Sequence, residues 1–288
     1  MNLQHYWELR LACHPEAAEA LTNYLWEAGA IGVVEEEVLR AFFPAAQSPD
    51  AIRRDLAAYM GSLEALGLSG ASGPIELHRL AARAWDTAWQ AHFRPLRVGR
   101  FWIAPPWERP RVGAGAHLIQ IRPGRAFGTG QHETTQLCLK LLDGLGESPP
   151  HRALDIGTGT GILAIAAVRL GVAECLAIDT DPDAVAAARD NVELNRVGRR
   201  VRVRVATPTQ VAEPPFALLL ANLLTETHQA LLPDYRRLMI PGGRAILGGI
   251  LTTDEDQMAA ALGAHGFDNH ERIRKGEWCA FCVERPRA

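Results

Sequence analysis

The feature that most restricts the fold of this chain is a glycine-rich turn at residues 155–161, with the sequence Asp-Ile-Gly-Thr-Gly-Thr-Gly. An apolar segment at 152–156 leads into the turn, and an alanine-rich segment at 162–170 follows it. Glycines let the backbone turn tightly and let a ligand approach with no Cβ in the way. The start of the following helix offers unpaired N–H groups and the positive end of its dipole. The sequence therefore predicts a strand, a ligand-binding loop and a helix, in that order.

The same alternation continues towards the C-terminus. Short apolar runs predict strands and longer periodic runs predict helices, with short connections between them. The predicted strands lie at 175–178, 201–205, 217–220 and 245–247, and the predicted helices at 182–194 and 231–238. This order predicts a doubly wound α/β fold, in which a mostly parallel sheet carries helices on both faces.

The first 80 residues have a different order of elements. Strands are predicted at 6–11, 33–34, 38–43 and 75–80, one helix begins at Pro15, and a second is capped by Asp50. The order βαββαβ is that of a smaller α+β, ferredoxin-like domain. A length of 288 residues is enough for two domains. We predict a ferredoxin-like domain at 1–80, a linker helix at 81–95 and the α/β domain at 96–288.

The composition restricts the compartment and the chemistry. The five cysteines are odd in number and scattered, which argues against a disulfide framework and for a reducing compartment. Cys279 and Cys282 lie on a predicted strand, where residues three apart face opposite sides, so we expect no metal site there. The first residues do not show the charged-then-apolar pattern of a signal segment, and no apolar run reaches the roughly 18 residues of a membrane span. We therefore expect a cytoplasmic protein with no membrane partner.

The charge is unevenly distributed along the chain. Residues 1–80 contain 11 acidic and 5 basic side chains, a balance of −6, whereas the remainder contains 22 and 25, a balance of +3. An acidic N-terminal domain would repel nucleic acid and attract a basic protein, although an ordinary solvated face is an equal alternative. Arginines and aromatic residues interleave at 94–126, which suits a nucleic-acid surface or, as we favour, an aromatic core crossed by arginine stems. We expect no direct binding of nucleic acid.

The spacing after the glycine-rich turn indicates a nucleoside ligand. Asp179 follows Gly157 by 22 residues (179 − 157), at the predicted end of the next strand. An acidic residue at about 20 positions is placed to accept both hydroxyls of a ribose. A dinucleotide site expects G-x-G-x-x-G, whereas this chain has G-x-G-x-G after the acidic residue Asp155. That pattern resembles motif I of the class I methyltransferases that use S-adenosylmethionine (SAM), where the acidic residue helps to hold the amino-acid end of SAM.

A second glycine-rich loop precedes this motif, at residues 122–135, with the sequence Arg-Pro-Gly-Arg-Ala-Phe-Gly-Thr-Gly-Gln-His-Glu-Thr-Thr. Further landmark segments are a linker segment at 89–96, a strand at 103–107, the residues after the fourth strand at 221–224, and two segments near the end at 248–251 and 276–279. Together they closely resemble the PrmA family, methyltransferases that modify the eleventh protein of the large ribosomal subunit. The resemblance implies SAM as the cofactor and trimethylation of lysine side chains and of an N-terminal α-amine. It also implies that the N-terminal domain binds the substrate protein.

The resemblance assigns the site residues as well. It places Thr135, Gly157, Asp179 and Asn222 at SAM-contacting positions, Asp155 and Gly159 in motif I, and Phe127 and Gly128 in the wall over the methionine moiety. Asn222 is the candidate catalytic residue, because its side chain could accept a hydrogen bond from the amine. The alternative is that Asn222 contacts only the cofactor. His132 is either a general base or a structural residue of its loop.

Other functions remain open at this point. The chain could be a SAM-dependent methyltransferase of RNA or of another protein, or a non-catalytic SAM-binding module that assembles on the ribosome. The segment 222–225 is Asn-Leu-Leu-Thr instead of an Asn-Pro-Pro-Tyr type motif, which speaks against methylation of glutamine or of DNA bases. A NAD-dependent oxidoreductase is disfavoured, because Gly161 falls one position too early for a dinucleotide site.

Overall fold

The computed structural model describes residues 5–34, 38–65, 73–81, 93–123, 127–146 and 149–287. The chain divides into two compact units, Met1–Arg94 and Pro95–Ala288. Most of the predicted linker helix, with Trp85 and Trp89, falls outside the described residues. Within the described part of the chain, no helix is both long enough and apolar enough to cross a membrane.

The first unit has the predicted βαββαβ order. Its elements are β1 (His5–Leu11), α1 (Pro15–Glu27), β2 (Gly32–Val34), β3 (Leu39–Pro44), α2 (Pro49–Ala65) and β4 (Glu76–Ala81). The strands form an antiparallel sheet in the order β2-β3-β1-β4. Leu9 from β1, Leu21 from α1 and Leu56 from α2 share one buried core, because each lies on the inward face of its element. The ferredoxin-like prediction is confirmed.

The predicted cap of α2 is wrong. The helix begins at Pro49, and the hydroxyl of Ser48 accepts a hydrogen bond from the backbone N–H of Ala51 at 3.4 Å. Proline suits the first helical position, because the N–H that it lacks has no partner there. Asp50 lies in the first turn of the helix, where its negative charge is favourable to the helix dipole.

The second unit contains the predicted doubly wound sheet. Its strands are β5 (Leu96–Val98), β6 (Phe101–Ala104), β7 (His117–Gln120), β8 (Arg152–Ile156), β9 (Glu174–Asp179), β10 (Val201–Val205), β11 (Phe216–Asn222), β12 (Met239–Leu251), β13 (Asp268–Lys275) and β14 (Trp278–Glu284). Its helices are α3 (Glu133–Asp143), α4 (Ile162–Arg169), α5 (Pro182–Leu194), α6 (Thr225–Leu238) and α7 (Glu255–Ala264). The seven-stranded sheet has the order β10-β9-β8-β11-β12-β14-β13. Strands β8 to β12 run parallel and the last two pair antiparallel, which confirms the predicted fold class.

The two faces of this sheet are buried in two separate cores. Along β11, Leu218 and Leu220 point into one core, while Leu219 and Ala221 point into the other. The near-continuous apolar sequence of β11 follows from this burial on both faces.

The two cysteines of β14 follow the same alternation. Cys282 lies in the first of these cores and Cys279 in the second, so their thiols are on opposite faces of the sheet.

Several elements of the second unit were not predicted. They are strands β5 and β7, which flank β6 in a three-stranded sheet, helices α3 and α7, and strand β13; the strand expected at 103–107 overlaps β6. Two predicted elements are also longer than their apolar runs. Helix α6 begins at Thr225, and its first turns were not predicted because they are polar. Strand β12 continues through Gly248 and Gly249, with a register shift between Leu247 and Ile250.

The order of the strands fixes where a ligand can bind. Three parallel neighbours, β9, β8 and β11, end at the same edge of the sheet. The strand order reverses between β8 and β11, since the chain moves outward to β10 on one side and to β12 on the other. In open α/β sheets, ligands bind in the crevice beyond the carboxyl ends of the strands at such a reversal.

Candidate functional site

The glycine-rich turn after β8 needs glycine for two reasons. Gly157 and Gly159 have φ values of 67° and 52°, in the left-handed region that side chains disfavour. A Cβ on Gly157 would lie 2.5 Å from Cδ2 of Leu223, and a Cβ on Gly159 would overlap the carbonyl oxygen of Phe127. The turn is therefore closely covered at both glycines, by the side chain of Leu223 and by the backbone of Phe127.

The second glycine-rich loop is hydrogen-bonded onto this turn. The N–H of Thr160 donates to the carbonyl of Phe127 at 2.9 Å, and its hydroxyl donates to the carbonyl of Gly128 at 2.6 Å. Thr160 is buried, whereas the ring of Phe127 is 50% exposed. The structure thus brings the predicted wall residues, Phe127 and Gly128, next to motif I.

Asp179 ends β9, as predicted. One carboxylate oxygen accepts the N–H of Gly159 at 2.9 Å, and the other accepts the N–H of Asp181 at 3.1 Å. Each carboxylate oxygen has two lone pairs, so both retain capacity to accept a further hydrogen bond. The carboxylate consequently fixes the turn and can still accept the hydroxyls of a ribose.

Asp155 has a structural function that the sequence did not suggest. Its Oδ2 accepts hydrogen bonds from the hydroxyl of Thr158 at 2.5 Å and from the N–H of Ala164 at 3.2 Å, which connects the turn to α4. Its Oδ1 is buried and has no hydrogen-bond partner among the described residues. Burial raises the pKa of Asp155 to about 7. An unpaired buried carboxylate oxygen is suited to a cationic partner.

Asn222 ends β11 and meets the start of α3. Its Nδ2 donates to the hydroxyls of Thr134 at 3.1 Å and of Thr135 at 3.5 Å, the second at the outer limit of hydrogen-bond distance. Its Oδ1 is buried without a partner in the described part of the chain. Both threonines are almost fully buried. The structure therefore places Asn222 and Thr135 together, although 87 residues separate them.

His132 caps α3. Its Nδ1 accepts the backbone N–H of Thr134 at 3.3 Å. Its ring packs edge-on between the rings of Phe127 and Trp278, at centroid distances of 5.3 and 5.2 Å. These contacts give His132 a definite structural function, while its action as a general base stays a prediction.

A buried histidine beside the site was not identified by the sequence analysis. His228 is fully buried; its Nε2–H donates to the carbonyl of Gly248 at 2.8 Å, and its Nδ1 accepts the hydroxyl of Tyr235 at 2.9 Å. Burial lowers the pKa of His228 to about 4, so the ring is neutral. The same carbonyl of Gly248 accepts the N–H of Leu223 at 3.0 Å, which holds the residue after Asn222. His228 and Tyr235 are seven residues apart, which places them on the same face of a helix, and this spacing is the sequence signal that could have identified the pair.

Asp155 Oδ1 and Asn222 Oδ1 are buried acceptor atoms with no hydrogen-bond partner among the described residues; both suit a cationic ligand, and neither suits a pyrophosphate. Gly157, Gly159 and Gly161 add no Cβ to the turn, and Asp179 supplies a carboxylate suited to a ribose. The residues present therefore fit SAM, which has an ammonium, a sulfonium and a nucleoside but no phosphate. With the strand order of its sheet, this site defines a class I methyltransferase that uses SAM as methyl donor.

Comparison with known proteins narrows the class to one family. The model of the family described as "Ribosomal protein L11 methyltransferase (PrmA)" matches residues 5–286, and the chain belongs to this family. A ribosomal protein L11 methyltransferase of Pelobacter propionicus is 35% identical over 303 aligned positions, covering 96% of this chain and 97% of the relative. One from Symbiobacterium thermophilum is 37% identical, with 89% and 91% covered.

A solved structure is also similar. The crystal structure of a ribosomal protein L11 methylase from Lactobacillus delbrueckii subsp. bulgaricus has a TM-score of 0.63 and 29% sequence identity. The match covers 67% of this chain and all of that one. The resemblance to the PrmA family found in the sequence is confirmed.

Proposed function

We propose that this enzyme transfers methyl groups from SAM to ribosomal protein L11, trimethylating lysine side chains and the N-terminal α-amine. The names of the relatives support L11 as the substrate. The choice of an amine rests on Oδ1 of Asn222, which is buried, has no partner among the residues that the structure describes, and needs a hydrogen-bond donor. A cytoplasmic location and the absence of direct nucleic-acid binding stay predictions.

The residues that hold the cofactor in this proposal lie on three strand ends, on two loops and in the first turn of α3. They are Thr135, Asp155, Gly157, Gly159, Asp179, Asn222, Phe127 and Gly128. When bound, SAM supplies a methyl carbon that its sulfonium has already activated. The protein then has to align the amine and exclude water, which are the main contributions to such a displacement.

The amine must be neutral in order to attack. A lysine ε-amine has an ordinary pKa of about 10.4, and burial next to a cation favours its neutral form. Oδ1 of Asn222 accepts a hydrogen bond from the amine and thereby orients its lone pair towards the methyl donor. A neutral primary amine has two N–H groups, a monomethylamine has one and a dimethylamine has none. Asn222 therefore assists the first two transfers and cannot assist the third in this way.

The N-terminal unit would bind the substrate. Residues 1–80 have a charge balance of −6, from 11 acidic and 5 basic side chains. Ribosomal proteins are generally basic because they bind RNA, so the sign of this charge favours association with L11. We assign substrate recognition to residues 1–80 and catalysis to residues 96–288.

The choice of substrate can be tested by competition. The enzyme and SAM would be offered unmodified large-subunit proteins together with ribosomal RNA, and every product would be examined by mass spectrometry. We expect methyl groups on L11 alone. Methylation of RNA or of a different protein would reject L11 as the substrate, while leaving the methyltransferase class intact.

The function of Asn222 can be tested through the order of methylation. We expect Asn222→Ala to slow the formation of mono- and dimethylated L11 by tenfold or more, an effect of about 1.4 kcal/mol, which is the size of one hydrogen bond. The conversion of a dimethylated substrate to the trimethylated product should change much less. Normal turnover combined with weaker binding of SAM, measured by calorimetry, would show that Asn222 contacts only the cofactor.

A further inference from the structure

A chain of hydrogen bonds leads from Asn222 to the first residue before α3. The Nδ2 of Asn222 donates to the hydroxyl oxygen of Thr134 at 3.1 Å. That hydroxyl lies 2.8 Å from Nδ1 of His132. The same Nδ1 accepts the backbone N–H of Thr134 at 3.3 Å, as the cap of the helix.

The protons in this chain can be assigned from the contacts. Because Nδ1 of His132 accepts a backbone N–H, it carries no proton of its own. The 2.8 Å contact then requires the hydroxyl of Thr134 to donate its single proton to Nδ1, whose lone pair is shared between this hydroxyl and the more distant N–H at 3.3 Å. Its oxygen can then only accept from Asn222, so the amide nitrogen of Asn222 has to face Thr134.

The opposite side of the amide carries the oxygen. A Cβ on Gly248 would lie 3.2 Å from Oδ1 of Asn222, and a Cβ on Gly249 would lie 3.0 Å from it. Glycine at both positions leaves the oxygen without a crowding side chain. Gly249 also has a φ of 79°, which disfavours any replacement by a residue with a side chain.

We infer that Thr134 and His132 are positioning residues for the transfer reaction. They fix the amide of Asn222 in the orientation that presents its oxygen, and not its nitrogen, to the substrate amine. The inference rests on the function proposed for Asn222. With the amide reversed, its N–H₂ group would face the amine and could not accept a hydrogen bond from it.

The proton assignment can be tested in the protein without substrate. Nitrogen-15 NMR of labelled histidine distinguishes the two neutral tautomers of the ring. We expect His132 to be protonated on Nε2, with the nitrogen shift of an unprotonated acceptor on Nδ1. Protonation on Nδ1 would overturn the inference, and this result does not depend on the identity of the substrate.

The positioning effect can be tested by a double-mutant cycle on L11. We expect Thr134→Val, which preserves the shape of the side chain, to lower kcat about tenfold with little change in the binding of SAM. Thr134→Ser restores the hydroxyl and should restore kcat. In an Asn222→Ala background, Thr134→Val should have no further effect, because it acts through the amide. Thr209→Val, whose hydroxyl contacts only that of Thr207 at the surface, is the matched control among the described contacts.

The outcomes of the cycle separate the possibilities. An equal tenfold loss from Thr134→Val in both backgrounds would overturn the positioning function. If Thr134→Val does not fold, His132→Asn and His132→Leu replace it. The asparagine keeps a capping acceptor and should retain kcat, whereas the leucine should not, and equal activities of the two would overturn the inference. A wild-type enzyme that is inactive on L11 would reject the proposed substrate, and the NMR result would still decide the orientation.

Discussion

Replacement of Gly159 by alanine tests whether the turn after β8 is built as the structure indicates. Gly159 has a φ of 52°, and a Cβ there would overlap the carbonyl oxygen of Phe127. That carbonyl accepts the N–H of Thr160 at 2.9 Å. The substitution therefore strains the backbone and pushes the second glycine-rich loop away from the turn.

The expected cost is the sum of two effects. A non-glycine residue in the left-handed region costs about 1–2 kcal/mol. Displacement of Phe127 weakens one buried hydrogen bond, which contributes roughly 1 kcal/mol. We expect Gly159→Ala to lower the free energy of unfolding by about 2–3 kcal/mol and to weaken the binding of SAM at least tenfold.

Two glycines of the same unit provide matched controls. Gly115 has a φ of 77° with open space around its Cβ position, so Gly115→Ala carries only the backbone strain. Gly263 lies in α7, where no described residue comes within 4 Å of its Cβ position, and Gly263→Ala should stabilise by roughly 0.5–1 kcal/mol. Chemical denaturation and calorimetric titration with SAM would measure all three. If Gly159→Ala is no more destabilising than Gly115→Ala and binds SAM normally, the predicted overlap with Phe127 is refuted.

Two further predictions concern titration. The pKa of His228 is about 4 in the folded protein, against about 6.5 when unfolded. Between these two pH values the unfolded chain binds a proton at His228 that the folded protein does not bind. The free energy of unfolding is therefore unaffected by this histidine above pH 6.5 and falls by about 3 kcal/mol as the pH is lowered to 4. The free energy of unfolding should depend less steeply on pH in His228→Gln, and equal slopes would refute this. Asp155, with a pKa of about 7, should release protons when it pairs with the ammonium of SAM, so the binding enthalpy should depend on the buffer in wild type and not in Asp155→Asn.

The parts of the site that could be predicted are those set by short stretches of sequence. The glycine-rich turn and Asp179 are placed by two consecutive strands and one helix, so their spacing was sufficient to find them. The contact between Asn222 and Thr134 joins residues 88 positions apart, and no local pattern contains it. The resemblance to a family supplied Asn222 and Thr135 as candidates, but it did not supply the capping function of His132.

The fold was predictable where hydrophobic periodicity is clear. Strands β8, β9 and β11 are largely buried apolar runs, and β10 alternates valine with arginine; all four were found. Helix α6 was found only in its second half, because Thr225 to Gln229 are mainly polar and give no apolar repeat. Strand β13 is largely exposed along its length, so it lacks the apolar residues that indicate a strand.

The most direct test of the central claim is methyl transfer to purified, unmodified L11, read by intact-mass and peptide mass spectrometry. The control is Gly157→Arg, whose side chain would occupy the covered turn. A thermal melt would show whether this variant is folded, and Gly157→Ala is the milder alternative. We expect the wild-type enzyme to add mass to L11 in methyl steps, on amines only, and the folded variant to add none. No added mass from an enzyme that binds SAM would contradict L11 as the substrate, and failure to bind SAM would contradict the site itself.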